Sequence, residues 1–278
     1  MTKSARQRHH SGLTRMSRCL RSALAETSAA PVIDVVWHPR RRRFVTAEGR
    51  RPVDAAPDDW LLTPEIFCEA ERPGFADWMA AAPGRKAVIY YDAIPLKFPE
   101  ICWPQSVARH PGYMKLLAAF DRVLAISRAS AEELSAYWQW IGVRQAAPVA
   151  LQLGADGHGS PRWCEPVDRA SSRTLVMVSI VEPRKNQDGV LDACEQLWKR
   201  GLPCHLEVFG RVNPHFGRET ERRMRHLARA GYPVRFHGNV PDAEVAAALA
   251  GARALLMPSI AEGCGLPILE ALWNGVPV

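Results

Sequence analysis

The sequence predicts an α/β fold with two domains and mainly parallel sheets. Three observations carry this reading. From about residue 173 onward, short apolar runs alternate with helical patterns. A stretch rich in glycine and proline interrupts the chain near its middle, and 278 residues is an ordinary length for two domains. With 47% of residues hydrophobic, both halves can fill cores.

Taken in chain order, residues 1–10 are polar and basic and contain no apolar run. A helical pattern from Arg18 to Ala25 follows Ser11-Gly12-Leu-Thr-Arg15-Met. Lys86-Ala-Val-Ile-Tyr-Tyr91-Asp92-Ala-Ile-Pro-Leu96 reads as a buried strand ending in a polar turn, and Phe120 to Ile126 reads as a second strand. Ser130-Ala-Glu-Glu133 has the spacing of a capping box for a helix through Trp138. Gly154, Gly157, Gly159, Pro161 and Pro166, set among polar residues, mark 154–172 as a hinge between domains at 1–153 and 173–278. Beyond it, strands are expected at 174–180, 204–209, 233–237 and 252–257. The intervening helices are expected at about 186–200, 218–230, 242–250 and 266–274, with Asp242 as an N-cap. Such alternation makes a parallel sheet, whose ligands bind beyond the carboxyl ends of the strands.

Charge and composition narrow the function classes. Residues 1–51 hold twelve Lys and Arg against three acids, so the whole excess of the net +7 lies at one end. That end is suited to anionic lipid headgroups, a phosphorylated acceptor or nucleic acid, or is simply a solvated face. No interleaved aromatics or zinc-finger spacing accompany it, so nucleic acid is the weakest of these partners. No apolar run approaches the roughly 20 residues of a membrane span and no secretory signal is visible, so the expected location is cytoplasmic. Seven scattered cysteines without a CxxC pair suggest reduced thiols, and nine dispersed histidines give no metal site.

Two loops carry chemistry. Pro258-Ser-Ile-Ala-Glu262-Gly-Cys-Gly-Leu-Pro-Ile-Leu-Glu270-Ala follows an expected strand and opens an expected helix, with Pro267 suited to the first turn. Backbone N–H groups of Gly263, Cys264, Gly265 and Leu266 would face an anion there, while Glu262 and Glu270 accept hydrogen bonds from hydroxyls on either side. A ligand with hydroxyls flanking a phosphate, such as a nucleotide sugar, fits. The second loop, Val181-Glu-Pro-Arg184-Lys185-Asn186, puts two cations at another strand-to-helix junction, a setting suited to a diphosphate.

These segments resemble the retaining glycosyltransferases of the GT-B fold, family 4 (group 1) type, in the subgroup whose second loop reads E-P-R-K-N. The resemblance runs from about residue 11 to the end and is most specific over 174–278. Cys264 stands where phenylalanine is common in the family's E-x7-E element, and Ile180 where many members carry an arginine, which leaves that role to Arg184. The resemblance implies two Rossmann-like domains, with Glu262 on the transferred sugar, the backbone from Gly263 to Leu266 on sugar or diphosphate, and Glu270 on the ribose. Arg184 and Lys185 would hold the diphosphate. In the first domain it implies an acceptor side, where Asp92 orients a hydroxyl and Gly12 belongs to a glycine loop. Tyr91 stands where members have histidine, and Thr14 where they have a second glycine. By the same comparison the first strand before Gly12 and the last elements after Val278 are expected to be missing.

The expected function is transfer of a hexose from a nucleoside diphosphate sugar to a hydroxyl acceptor with retention, in surface polysaccharide or cell-envelope glycan synthesis. No cofactor or metal is expected beyond the nucleotide sugar as co-substrate. The expected partners are that donor, a glycan or lipid-linked glycan acceptor, and peripheral contact with an anionic membrane at the inner face of the plasma membrane. The alternative is a truncated, non-catalytic remnant that at most binds nucleotide sugar.

Overall fold

A computed structural model describes residues 12–155, 162–164 and 169–278. The chain divides into two compact units, Met1–Leu153 and Gly154–Val278.

The first unit opens with helix α1 (Gly12–Thr27), which turns Thr14 and Ser17 inward. An antiparallel ribbon follows, β1 (Val35–His38) and β2 (Arg43–Thr46), paired from Val35↔Thr46 to His38↔Arg43. The ribbon buries Trp37 and Phe44, while exposed Arg40, Arg41 and Arg42 form its turn. Next come β3 (Trp60–Thr63), α2 (Phe75–Ala81), β4 (Arg85–Tyr90), the single turn α3 (Ile94–Lys97), α4 (Pro104–Leu116), β5 (Arg122–Ala125), α5 (Arg128–Trp140) and the short β6 (Val149–Ala150). Strands β3 to β6 form one parallel sheet in sequence order.

A single core joins the ribbon to this sheet. Trp37, Phe44, Phe67, Phe75 and Phe120 pack with Met114, Leu134 and Trp138, the aromatic rings meeting mostly edge to face. Each such ring or aliphatic chain removed from water contributes about 1.5–3 kcal/mol, so the ribbon is held chiefly by its inward residues. Arg72 lies inside this aromatic set, 4.1 Å from the Phe67 ring, and burial pushes its guanidinium down to about 10 despite the opposing charge of Glu65.

Two local expectations are corrected here. Gly12 to Met16 lie within α1, so the described part of the glycine-loop segment is helical; Ser11 lies outside the described residues. The cap of α5 is Ser127, whose hydroxyl accepts from the Ser130 N–H at 3.1 Å, one turn before the expected capping box. Ser130 is instead buried and donates to the Tyr91 carbonyl at 2.6 Å. Glu133 turns toward Lys97, pairing across helices because its own cap position is already filled.

The second unit alternates strictly: β7 (Thr174–Val178), α6 (Gln187–Lys199), β8 (His205–Phe209), α7 (Arg218–Arg229), β9 (Val234–Gly238), α8 (Asp242–Gly251), β10 (Ala254–Leu255) and α9 (Leu266–Trp273). All pairings are parallel and the strand order is β10-β7-β8-β9. Neighbouring residues of β7 serve opposite faces: Met177 packs with Leu191, Leu206 and Met224, whereas Val176 packs with Leu249, Leu255 and Ala271. The order steps from β7 to β8 on one side and to β10 on the other, so the loops after β7 and β10 diverge at a topological switch point. Asp242 is the first helical residue of α8 rather than its cap, a role held by Pro241.

The described part of 154–172 is tied to the second unit. The Trp163 N–H donates to the Trp273 carbonyl at 2.8 Å, and the Arg169 guanidinium donates to the carbonyls of Ala250 at 2.9 Å, Ala252 at 2.7 Å and Gly275 at 3.1 Å. One arginine thus satisfies carbonyls at the ends of both α8 and α9, where a cation also complements the helix dipoles.

Candidate functional site

Glu182 leaves β7 in extended conformation, and Pro183 starts a one-turn 3₁₀ helix, Pro183–Lys185. Asn186 closes it at φ 56°, a left-handed position that asparagine tolerates well, and α6 begins at once. This tight junction holds Arg184 and Lys185 at the sheet's carboxyl edge. The loop after β10 comes alongside: the Ile260 N–H donates to the Arg184 carbonyl at 2.8 Å.

Both cations converge on Glu262. Lys185 Nζ donates to Oε1, and Arg184 Nη1 donates to Oε2 at 3.2 Å and to the Ala261 carbonyl at 2.8 Å. Side-chain exposures of 9% for Lys185, 18% for Arg184 and 23% for Glu262 separate this cluster from an ordinary surface ion pair. Burial alone would raise the Glu262 carboxyl, but the Lys185 ammonium and the Arg184 guanidinium outweigh it and hold the group below the usual carboxylate range. Burial and the Arg184 charge lower the Lys185 ammonium, and Glu262 offsets them only in part.

Helix α9 begins after Gly265, whose φ of 74° is left-handed and suits glycine, and the Ile268 N–H bonds the Gly265 carbonyl at 2.9 Å. Gly263, Cys264 and Leu266 are half-buried along the same turn, and Glu270 sits within α9 with only 4% of its surface exposed. Burial, then the Glu262 charge, raises the Cys264 thiol. The loop pair therefore brings together Arg184, Lys185 and Glu262 directly, with residues 263–266 and Glu270 following on the same loop and helix.

In the first unit the site residues have other engagements. Tyr91 is buried and its hydroxyl donates to the Pro64 carbonyl, which also accepts from Ser17 Oγ at 3.2 Å. Burial raises that phenol well above its ordinary range, so Tyr91 is a packing residue. Asp92 lies at the end of β4, where Oδ1 accepts from the Ile94 N–H at 3.0 Å, capping the next turn. His110, on α4, reaches the Asp92 carbonyl with Nε2 at 2.9 Å, and burial lowers its imidazole. Gly12 stands in the first turn of α1.

Sequence reasoning missed Glu182, Asn213 and Gln187. Glu182 accepts from Arg184 and Asn213, while Gln187 Nε2 donates to Ser179 Oγ at 3.0 Å and to the Ile180 carbonyl at 2.9 Å. The Gln187 signal was its place at the first turn of α6 on a loop already rich in polar groups. Among the described residues, no group of three or more His, Cys, Asp or Glu is arranged to hold a metal ion.

A parallel sheet whose switch-point loops present paired cations, a carboxylate and a glycine-led helix start defines an α/β protein with a polar site at the carboxyl edge of its sheet, and comparison makes the class specific. Residues 166–278 match the family model described as glycosyl transferases group 1. The serotype-specific mannosyltransferase WbdA of Escherichia coli is 29% identical over 245 residues, covering 82% of this chain and 30% of that protein. The O-antigen chain mannosyltransferase B of Escherichia coli is 35% identical over 127 residues, covering 43% of this chain and 32% of that one. Sucrose-phosphate synthase from Thermosynechococcus elongatus superimposes with a TM-score of 0.60 at 16% identity, covering 96% of this chain and 75% of that chain. Anabaena Alr3699/HepE in complex with UDP and glucose gives a TM-score of 0.56 at 18% identity, covering 79% and 58%. Residues 166–278 are thus similar to the group 1 glycosyltransferases, and the fold is of the GT-B kind. The chain spans about 30% of the length of the WbdA proteins it matches.

Proposed function

We propose that the chain transfers a hexose from a nucleoside diphosphate sugar to a hydroxyl acceptor with retention, in the synthesis of a surface polysaccharide. The observation that carries this is the convergence of Arg184 and Lys185 on Glu262 where the loops after β7 and β10 diverge. In this reading the diphosphate takes the two cations, Glu262 is released to a hydroxyl of the sugar, and Glu270 holds the ribose. The leaving diphosphate gains negative charge as the sugar becomes oxocarbenium-like, and preorganised donors facing that charge are worth several kcal/mol. Retention follows from attack on the face the diphosphate leaves, without a protein nucleophile. No metal or cofactor is assigned in this scheme.

Mannose is the first sugar to test, because two similar proteins are mannosyltransferases. We assign the acceptor, a glycan or lipid-linked glycan, to the first unit, with Asp92 as the residue that orients its hydroxyl. The arginines of the β1–β2 turn are suited to an anionic membrane at the cytoplasmic face.

The test is release of nucleoside diphosphate by the purified chain from GDP- and UDP-linked hexoses, mannose included, with hydroxyl acceptors. The expected result is turnover that falls about 100-fold or more in Glu262→Ala. Equal turnover in the variant overturns the site. Donor binding without turnover in the wild type favours the binding-only alternative.

A further inference from the structure

We infer that Glu182 and Asn213 form a brace that sets the Arg184 guanidinium for the diphosphate, an inference that rests on the donor-site reading above. Glu182 Oε1 takes both Nε of Arg184 at 3.1 Å and Nη2 at 2.9 Å. Two contacts from one edge of a planar fork fix its plane as well as its position. The remaining donor edge then reaches Ala261 and Glu262.

Glu182 is itself held. Its Oε2 accepts from Asn213 Nδ2 at 3.1 Å, and its side chain is only 13% exposed. Asn213 is fixed by its backbone, whose N–H donates to the Val181 carbonyl at 3.0 Å, and its Oδ1 accepts from the His215 N–H at 3.0 Å. Behind it, Gly217 lies so near that an added Cβ would stand 2.2 Å from the Val181 carbonyl oxygen. The contacts therefore run from the loop after β8, through Glu182 on the loop after β7, to the loop after β10. Two strand-end loops contact the guanidinium directly, and the loop after β8 reaches it through Glu182.

Among the described residues, the side-chain contact of Lys185 is Glu262, the group a sugar would engage. The two cations accordingly divide the work. Arg184 is preset, and Lys185 follows the ligand. Removing the brace leaves Arg184 charged but free to swing, so binding must then order it.

Glu182→Gln keeps the shape but sets an amide NH₂ against either Asn213 Nδ2 or the Arg184 donors, losing at least one bond. Glu182 is a positioning residue, so its effect must run through Arg184. The experiment is a double-mutant cycle on the full chain, measuring dissociation constants of UDP and GDP by calorimetry for wild type, Glu182→Gln, Arg184→Ala and the double variant. The better-bound nucleotide is expected to weaken about tenfold in Glu182→Gln, and the double variant to bind no worse than Arg184→Ala alone. Asn213→Ala should weaken binding by a smaller factor in the same nucleotide, with each variant's melting transition confirming that it is folded. Fully additive losses, or a Glu182→Gln dissociation constant equal to that of wild type, overturn the brace while leaving the donor site standing. Failure of the wild type to bind either nucleotide overturns both.

Discussion

At the scale of single residues, the chemistry concentrates on Glu262. Its carboxyl is held below the ordinary range by the Lys185 and Arg184 charges, against the cost of its own burial. A depressed carboxylate contributes stability that is present above its unfolded value, about 4.3 for glutamate, and is lost as pH falls through the lower folded value. Glu262→Gln should therefore cost about 2 kcal/mol near neutral pH, since it leaves Lys185 and Arg184 with one charged acceptor fewer. Melting temperatures across the acid range check this: the gap between wild type and variant should close as pH falls through that window, and a constant gap would contradict it. Glu262, Arg184 and Lys185 were legible in the sequence because spacing, glycines and proline coincided in two short loops. Glu182 was not, because a lone glutamate after a strand looks the same whether it is solvated or braced. Asp92 was read as a strand-end carboxylate and proves to cap the turn at Ile94.

At the scale of elements, the second unit was far more legible than the first. Its strands are buried on both faces and so appear as continuous apolar runs, and its helices are long enough for a period to show. The expected strand 252–257 shortens to Ala254–Leu255 because the sheet edge pairs β10 only with β7 over two residues. In the first unit, β1, β2 and β3 have four residues each, too few to establish alternation, and β2 directly follows an arginine run. Their stabilisation comes from a distant aromatic core that local pattern cannot reveal. One position ties element to site. Gly210 ends β8 at φ 139°, and a Cβ there would stand 1.9 Å from the Ser179 carbonyl oxygen. Since backbone cannot yield as a flexible side chain does, Gly210→Ala should destabilise the protein by about 2–4 kcal/mol. Chemical denaturation measures this. A loss under 0.5 kcal/mol, the ordinary range for a surface change, would mean that the loops after β7 and β8 are not closely packed.

At the scale of the whole molecule, two parallel-sheet units occupy one chain, and among the described residues the site built from several converging elements lies in the second. Among the described residues no helix is long and apolar enough to cross a membrane. The first unit contributes a hydroxyl and histidine network around Pro64, Tyr91 and Asp92 that is largely satisfied within itself. In the proposed reading the division of labour is uneven: donor chemistry would reside in loops whose geometry is already assembled, and acceptor choice in the more diverged half. In the proposed reading, the loops after β7 and β10 hold a nucleoside diphosphate sugar by exchanging Glu262 for phosphate at Arg184 and Lys185. A crystal structure of the chain with a bound nucleoside diphosphate hexose tests it most directly. The expected result is phosphate oxygens within hydrogen-bond distance of both cations and the Glu262 carboxylate turned to a sugar hydroxyl. A diphosphate bound elsewhere, or bound with the Lys185–Glu262 pair intact, would contradict it.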